Sequence, residues 1–289
     1  MHEILDRLPP GSRVLDLGSQ GGSFNASDYP ELVSIAVDII SPSDSFSLRP
    51  RGPFHFVRAD ASFLPFGSRT FDAIVLNHSL EHFERLKPAL QEIGRVVRPD
   101  GAIYVAVPDA ATFSDRLYRK VFRGRGGHVN LFASGPELAE TLSWYFGLPL
   151  VGSRTLCASL TFLNRKARDP GPGSRRIPFS RLPEPLLLCL TALLRVADCR
   201  FGTRLSVYGW ALYFGNLKQR VESTVRPNIC VRCGQAHPAD WLLRIGAAQR
   251  RRWLLPRYKC PACGASNFFT PDQLSPDQFT EDHDPPTAA

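Results

Sequence analysis

The stretch Val14-Leu15-Asp16-Leu17-Gly18-Ser19-Gln20-Gly21-Gly22 decides how this chain is read. An apolar run that ends in Asp-x-Gly and then turns through glycines is a buried strand feeding a tight loop. Glycine suits such a loop because the backbone takes unusual angles there and lets a ligand come close. Acids follow at Asp38 and Asp60, each just past a short β-rich run, Ser34–Val37 and Phe54–Val57. If those runs are parallel neighbours of the first, the loop, Asp38 and Asp60 converge on the carboxyl edge of one sheet. Open α/β folds bind ligands at that edge. The outline is that of a nucleoside-binding edge.

Working outward, the pattern predicts a short helix over about His2–Leu8 and strands over about Arg13–Leu17, Val33–Asp38, Phe54–Ala59, Asp72–Asn77 and Ala102–Val107. The segment Ser41–Pro53, rich in Ser and Pro, reads as a long surface loop. A helix of roughly Phe83–Val97 places Leu86, Leu90, Ile93 and Val97 on one face and stops at the turn Pro99-Asp100-Gly101. Strand, helix and strand at this rhythm predict an α/β fold with a doubly wound, mostly parallel sheet. Beyond Pro108, Thr112–Phe122 and Gly135–Tyr145 read as helices and Leu150–Leu163 as strand. A Pro/Gly hinge at Asp169–Ser174, an apolar helix at Pro185–Ala197 and an aromatic last strand at Leu205–Gly215 follow.

With 289 residues, 43% of them hydrophobic and 10% aromatic, the chain can bury one α/β core and carry a small accessory module. No charged leader followed by an apolar core opens the sequence, so no secretory signal is expected. The longest apolar run, Pro185–Leu194, stops at Arg195 and is too short to span a bilayer. The expected location is cytoplasmic, with peripheral membrane contact as an option. The net charge of +8 is concentrated: residues 161–260 carry 19 basic side chains against 5 acidic ones. Such a block suits an anionic partner, RNA or an anionic membrane surface reached through residues 165–260, or is a solvated Arg-rich face.

Three nucleotide loops compete for the opening stretch, and spacing separates them. A P-loop needs Gly-Lys-Ser/Thr, and no lysine lies near Gly22. A G-x-G-x-x-G fingerprint fails at Gln20 and again at Ser23. The fit is Asp-x-Gly-x-x-x-Gly, formed by Asp16, Gly18 and Gly22. With the acids and the later segments "LNHSLEHF" (Leu76–Phe83) and "VVRPDGAIYVAVP", it resembles the class I S-adenosylmethionine-dependent methyltransferases of the small-molecule type. The resemblance covers about residues 1–165 and resumes at 205–215.

That resemblance implies a seven-stranded Rossmann-like domain over 1–220, with 165–204 a helical insertion before the last strand, and S-adenosylmethionine as cofactor. It implies that Asp16 helps hold the methionine ammonium while Gly18, Gln20 and Gly22 form the loop against the cofactor. Asp38 would accept from the ribose hydroxyls, a task for an ionised carboxylate. Asp60 would receive the adenine amino group with the Ala61 backbone beside the ring. Asn77 opens the loop where cofactor and acceptor meet. Gln20 departs from the family, which usually has glycine there.

Methyl transfer needs aligned reactants and excluded water, and a base only where the acceptor is a weak nucleophile such as a hydroxyl. His78 and His128 are the candidate catalytic bases, with His82 beside them, because imidazole titrates near neutrality. Glu81 reads as a helix cap.

Cys230-x-x-Cys233 and Cys260-x-x-Cys263, each followed by glycine, read as two knuckles of a structural Cys₄ zinc site within a zinc ribbon over 226–269. Cys157, Cys189 and Cys199 are expected in the core. Between the knuckles Trp241, Trp253 and Arg250, Arg251 and Arg252 suit either nucleic-acid contact or a thin packed core. Residues 270–289 read as an acidic disordered tail. The expected acceptor is a small molecule, glycan or lipid-linked substrate, with RNA as the alternative. A non-catalytic protein that keeps only the fold is the third reading.

Overall fold

The computed structural model describes residues 1–19, 22–40, 53–121, 128–157, 183–215, 228–229, 236–237, 239–249, 256–261 and 266–269. Seven strands form one sheet: β1 (Arg13–Leu17), β2 (Val33–Asp38), β3 (His55–Arg58), β4 (Phe71–Asn77), β5 (Val97–Pro108), β6 (Leu150–Cys157) and β7 (Val207–Gly215). Their spatial order is β3-β2-β1-β4-β5-β7-β6. The pairs from β3 through β5 are parallel, whereas β7 runs antiparallel to both β5 and β6. The sheet is therefore mixed, with a single reversed strand.

The continuous apolar runs follow from burial on both faces. Alternate residues divide cleanly. Leu15, Leu17, Ile74, Leu76, Ile103, Val105 and Val107 join one core, under the helices α2 (Leu86–Val96) and α4 (Gly135–Phe146). Val14, Ala73, Val75, Tyr104 and Ala106 join the other, with Ile4 and Leu5 from α1 (His2–Leu5). Helix α2 turns Ala89, Leu90, Ile93 and Val96 inward. Helix α4 begins at a Ser134 cap that accepts from the Glu137 N–H and ends at Gly147 in the left-handed conformation, so both termini are satisfied locally.

Several sequence expectations shift. The Pro99-Asp100-Gly101 turn does not separate two elements. It is looped out of β5, whose register to β4 jumps from Phe71↔Val97 to Ala73↔Ala102, leaving Arg98, Pro99 and Asp100 exposed. The apolar helix is longer than its apolar core predicts: α5 runs Glu184–Phe201. It continues because Asp198, in its last turn, accepts from Thr203 Oγ1, Leu205 N, Ser206 N and Ser206 Oγ at 2.5–2.6 Å and so welds helix to strand. Cys189 is exposed, not buried in the core, because it lies on the outward side of that helix with Leu186, Leu193 and Val196. No helix among the described residues is long and apolar enough to cross a membrane.

After β7 the described residues form two small antiparallel sheets, β8 (Asn228–Ile229) with β9 (Ala236–His237), and β10 (Ala248–Gln249) with β11 (Arg257–Lys259) and β12 (Ser266–Phe268). A separate core of Ala239, Leu242, Tyr258, Cys260 and Phe269 joins the three-stranded sheet to α6 (Ala239–Arg244). Trp241 packs against this core, as the thin-core reading expects. Cys230, Cys233, Cys263, Trp253, Arg250, Arg251, Arg252 and the tail 270–289 lie outside the described residues.

Candidate active site

The strand order reverses between β1 and β4, so their carboxyl ends diverge into a crevice. The loop after β1 starts as an extension of the ladder: the N–H of Gly18 donates to Val37 O at 2.8 Å and that of Ser19 at 3.3 Å. Gly18 and Gly22 both have positive φ, +71° and +100°. A Cβ on Gly18 would stand 2.5 Å from the Cβ of Ser79. Glycine is needed here because the β1 loop is pressed against the turn after β4, a reason invisible in the sequence.

Asp16 is fully buried within β1, and its carboxylate accepts from Ser23 N at 2.7 Å and Ser23 Oγ at 2.6 Å. It therefore closes the glycine loop on itself. Gln20 lies outside the described residues. Asp38 ends β2, half-buried, with Oδ1 accepting from Ile40 N at 3.0 Å. One strand further out Asp60 accepts from Ser62 N and Ser62 Oγ, each at 2.8 Å. The backbone N–H of Ser62 chiefly holds the Asp60 carboxyl below the usual carboxylate range. Partial burial opposes this, while the Ser62 hydroxyl and the charge of Arg85 reinforce it. Ala61 beside it is buried and joins the core under α2 and α4. Asp16 in β1, Asp38 at the end of β2 and Asp60 two residues past β3 thus follow three adjacent strands at one edge, with Gly18 and Asn77 at its centre. Carboxylates at adjacent strand ends, one of them held ionised, suit the hydroxyls and amino group of a nucleoside.

The turn after β4 carries the histidines. His78 has a left-handed backbone, φ +56°, uncommon for a residue with a Cβ, and its N–H donates to Ala106 O at 2.9 Å. Its side chain is 33% exposed, with the ring 5.3 Å from that of Tyr208 and Nδ1 3.6 Å from Glu81 Oε1. Leu80–His82 form one 3₁₀ turn. Glu81 does not cap α2: the N-cap residue of that helix is Arg85, with no side-chain cap hydrogen bond, and Glu81 is fully buried inside the turn. His128 is brought in from the loop after α3 (Phe113–Val121), its side chain 2% exposed, with Nδ1 2.8 Å from the buried Asp115 Oδ1 and its ring 5.3 Å from that of His82. Sequence reading missed Asp115, Asn130, Ser23 and Tyr208. Asp115 sits thirteen residues before His128 in an ordinary charged helix, a position with no signal of its own. Beneath the same turn an apolar crevice of about 210 Å³ is lined by Leu80, Leu86, Leu131, Phe132, Leu138 and Leu142 among others.

In the C-terminal module Cys260 is buried, and its Sγ lies 3.3 Å from His237 Nε2. His237 in turn stacks on Trp241 at 5.6 Å.

Residues 15–105 match a family described as a methyltransferase domain. The matched stretch runs from β1 into β5 and carries the carboxylate edge. The malonyl-[acyl-carrier protein] O-methyltransferase of Methylococcus capsulatus is 32% identical over 143 residues, 46% of this chain and 51% of that protein. The demethylmenaquinone methyltransferase of Beutenbergia cavernae is 35% identical over 102 residues, 34% of this chain and 41% of that protein. The chain spans about half the length, or less, of these curated relatives. A solved SAM-dependent methyltransferase from Archaeoglobus fulgidus is 18% identical, over 71% of this chain and 86% of that one, with a TM-score of 0.47.

Proposed function

We propose that the protein transfers a methyl group from S-adenosylmethionine to a small or lipid-linked acceptor. The observation that carries this reading is the edge formed by the Asp16–Gly22 loop, Asp38 and Asp60 at the reversal of strand order. The cofactor supplies an electrophilic methyl group on a sulfonium. The chain's own residues bind and align. Asp38 accepts from the ribose hydroxyls, Asp60 and Ala61 hold the adenine, and Asp16 keeps the Gly18–Gly22 loop shaped for the methionine end, with Gln20 in that loop. Asn77, at the end of β4, would line the point where cofactor and acceptor meet.

His78 is the proposed base for a hydroxyl acceptor, supported by its exposure and its position on the turn beside Gly18. His128 is too buried to meet solvent directly. The two relatives are named for malonyl-acyl carrier protein and for demethylmenaquinone, which favours a small acceptor group. The apolar crevice under the turn supports the same class. The exposed Leu186, Leu193, Val196 and Phe201 on α5 favour a lipid-linked acceptor met at a membrane surface from the cytoplasm.

The remaining organisation follows as part of this reading: a methyltransferase domain over 1–220 with the 165–204 insertion, a module over 226–269 and an acidic tail over 270–289. The module holds a structural zinc through Cys230, Cys233, Cys260 and Cys263, supported by the knuckle spacing and the burial of Cys260. The competing acceptor, RNA, is favoured by the basic excess of residues 161–260. Salt-dependent RNA affinity lost on replacing Arg250, Arg251 and Arg252 would select it. The test of the main reading is a methyl-transfer screen over lysate fractions with labelled cofactor. Labelled product in a protein-free organic fraction is expected; label confined to RNA overturns the small-acceptor reading.

A further inference from the structure

We propose that Glu81, His82 and His128 form a binding site for a divalent transition-metal ion. The three side chains offer one carboxylate oxygen and two imidazole nitrogens, all within 4.8 Å of one another. Two of them sit on the 3₁₀ turn after β4 and the third on the loop after α3, so the juxtaposition is tertiary. It is built by four hydrogen bonds. Val129 N and Asn130 N donate to Glu81 O at 2.8 and 3.1 Å, and Asn130 Nδ2 donates to Leu80 O at 2.8 Å and Phe83 O at 2.7 Å. The loop is sewn to the turn at the point where His128 meets Glu81 and His82.

The second observation concerns Glu81 itself. It is fully buried, and neither carboxylate oxygen takes part in a hydrogen bond among the described residues; His78 Nδ1, at 3.6 Å, is within ion-pair reach of Oε1 but beyond hydrogen-bonding distance. A carboxylate withdrawn from water without donors is costly, and structures rarely keep one without a counter-ion. A cation held against Glu81 removes that cost. The surroundings are those of a ligand shell. Asp115, fully buried, lies 2.8 Å from His128 Nδ1 and is held in turn by Arg119 Nε at 2.6 Å. A carboxylate on one imidazole nitrogen orients the ring and raises the basicity of the other.

Two imidazoles with one carboxylate select the chemistry of the ion. Magnesium and calcium take oxygen ligands almost alone, whereas zinc, manganese, iron and cobalt accept this mixed set. Three protein ligands leave positions open for water or for an oxygen of a second ligand. The turn packs against Gly18, so an oxygen donor held there lies at the proposed cofactor edge. That last clause rests on the proposed function; the metal site does not. It shares no residue with the cysteine module.

The test uses the full chain, dialysed against chelator and titrated with Co²⁺ while calorimetry and absorption are recorded. One Co²⁺ per chain with ligand-field bands, and no added sulfur-to-metal charge transfer, is expected. Asp115→Asn should weaken it by about 10–100-fold, the range for a group behind a metal-bound histidine. His82→Asn, on a part-exposed side chain, should abolish it with thermal unfolding unchanged, and Glu81→Gln should do likewise. No Co²⁺ binding by the wild type, or binding that survives both His82→Asn and Glu81→Gln, overturns the proposal. Cofactor titration of the same chelator-dialysed sample, before cobalt is added, is a separate readout. Cobalt binding without cofactor binding sinks the methyltransferase reading and leaves the metal site standing, and the reverse outcome does the opposite.

Discussion

Replacing Gly18 by alanine tests the fit between the β1 loop and the turn after β4. At φ +71° an alanine carries a left-handed cost of about 1–2 kcal/mol. Its Cβ would also lie 2.5 Å from the Cβ of Ser79, itself buried, so turn or loop must move. Forcing a methyl group into a packed site costs about 1–3 kcal/mol. The two together give about 2–5 kcal/mol, which for a domain of roughly 150–250 residues is a fall in Tm of about 4–20 °C. Thermal unfolding followed by circular dichroism reads the effect directly. Gly18→Ala combined with Ser79→Gly separates the two causes. Removing the opposing Cβ should recover the steric part and leave about 1–2 kcal/mol of backbone strain. A Gly18→Ala protein as stable as the wild type, or a double variant no better than the single one, refutes the reasoning.

Other expectations follow from named contacts. Glu92 joins Arg95 at 2.7 Å and accepts from Leu64 N at 2.8 Å, and the Arg95 hydrogen bond holds its carboxyl below the usual range. Its contribution is present above the unfolded carboxylate pKa of about 4.3 and is lost as pH falls through the lower folded value. Glu92→Gln should therefore cost about 1 kcal/mol in urea unfolding at pH 7, and the gap to wild type should close in acid. Asp198→Asn leaves an amide facing the Leu205 and Ser206 N–H donors and should destabilise by about 2–4 kcal/mol in thermal melts. Asn130→Ala should weaken Co²⁺ binding in the titration above, because it frees the loop that delivers His128. After exhaustive chelation, elemental analysis should still find about one zinc per chain, lost in Cys260→Ser.

Much of the sheet was legible because β1, β4 and β5 are buried on both faces and so read as unbroken apolar runs ended by acids and turn residues. The carboxylate edge followed from the same runs, since Asp38 and Asp60 lie at strand ends whatever the rest of the chain does. What the sequence did not reveal depends on contacts between distant segments. Gly18 is explained by Ser79, sixty-one residues away, and Asp16 by Ser23 closing its loop. Glu81 looked like a cap because a lone acid near a helix start usually is one. Only the buried turn shows its carboxylate facing two histidines. Cys189 looked like core because apolar neighbours in sequence do not tell which side of α5 faces out.

The carboxylate edge as a cofactor site is tested most directly by calorimetric titration of the full chain with S-adenosylmethionine, beside Asp38→Ala. One site per wild-type chain is expected, weakened by roughly 100-fold or more when the charge-assisted bonds to the ribose are lost. No binding by the wild type, or equal binding by Asp38→Ala, contradicts the account.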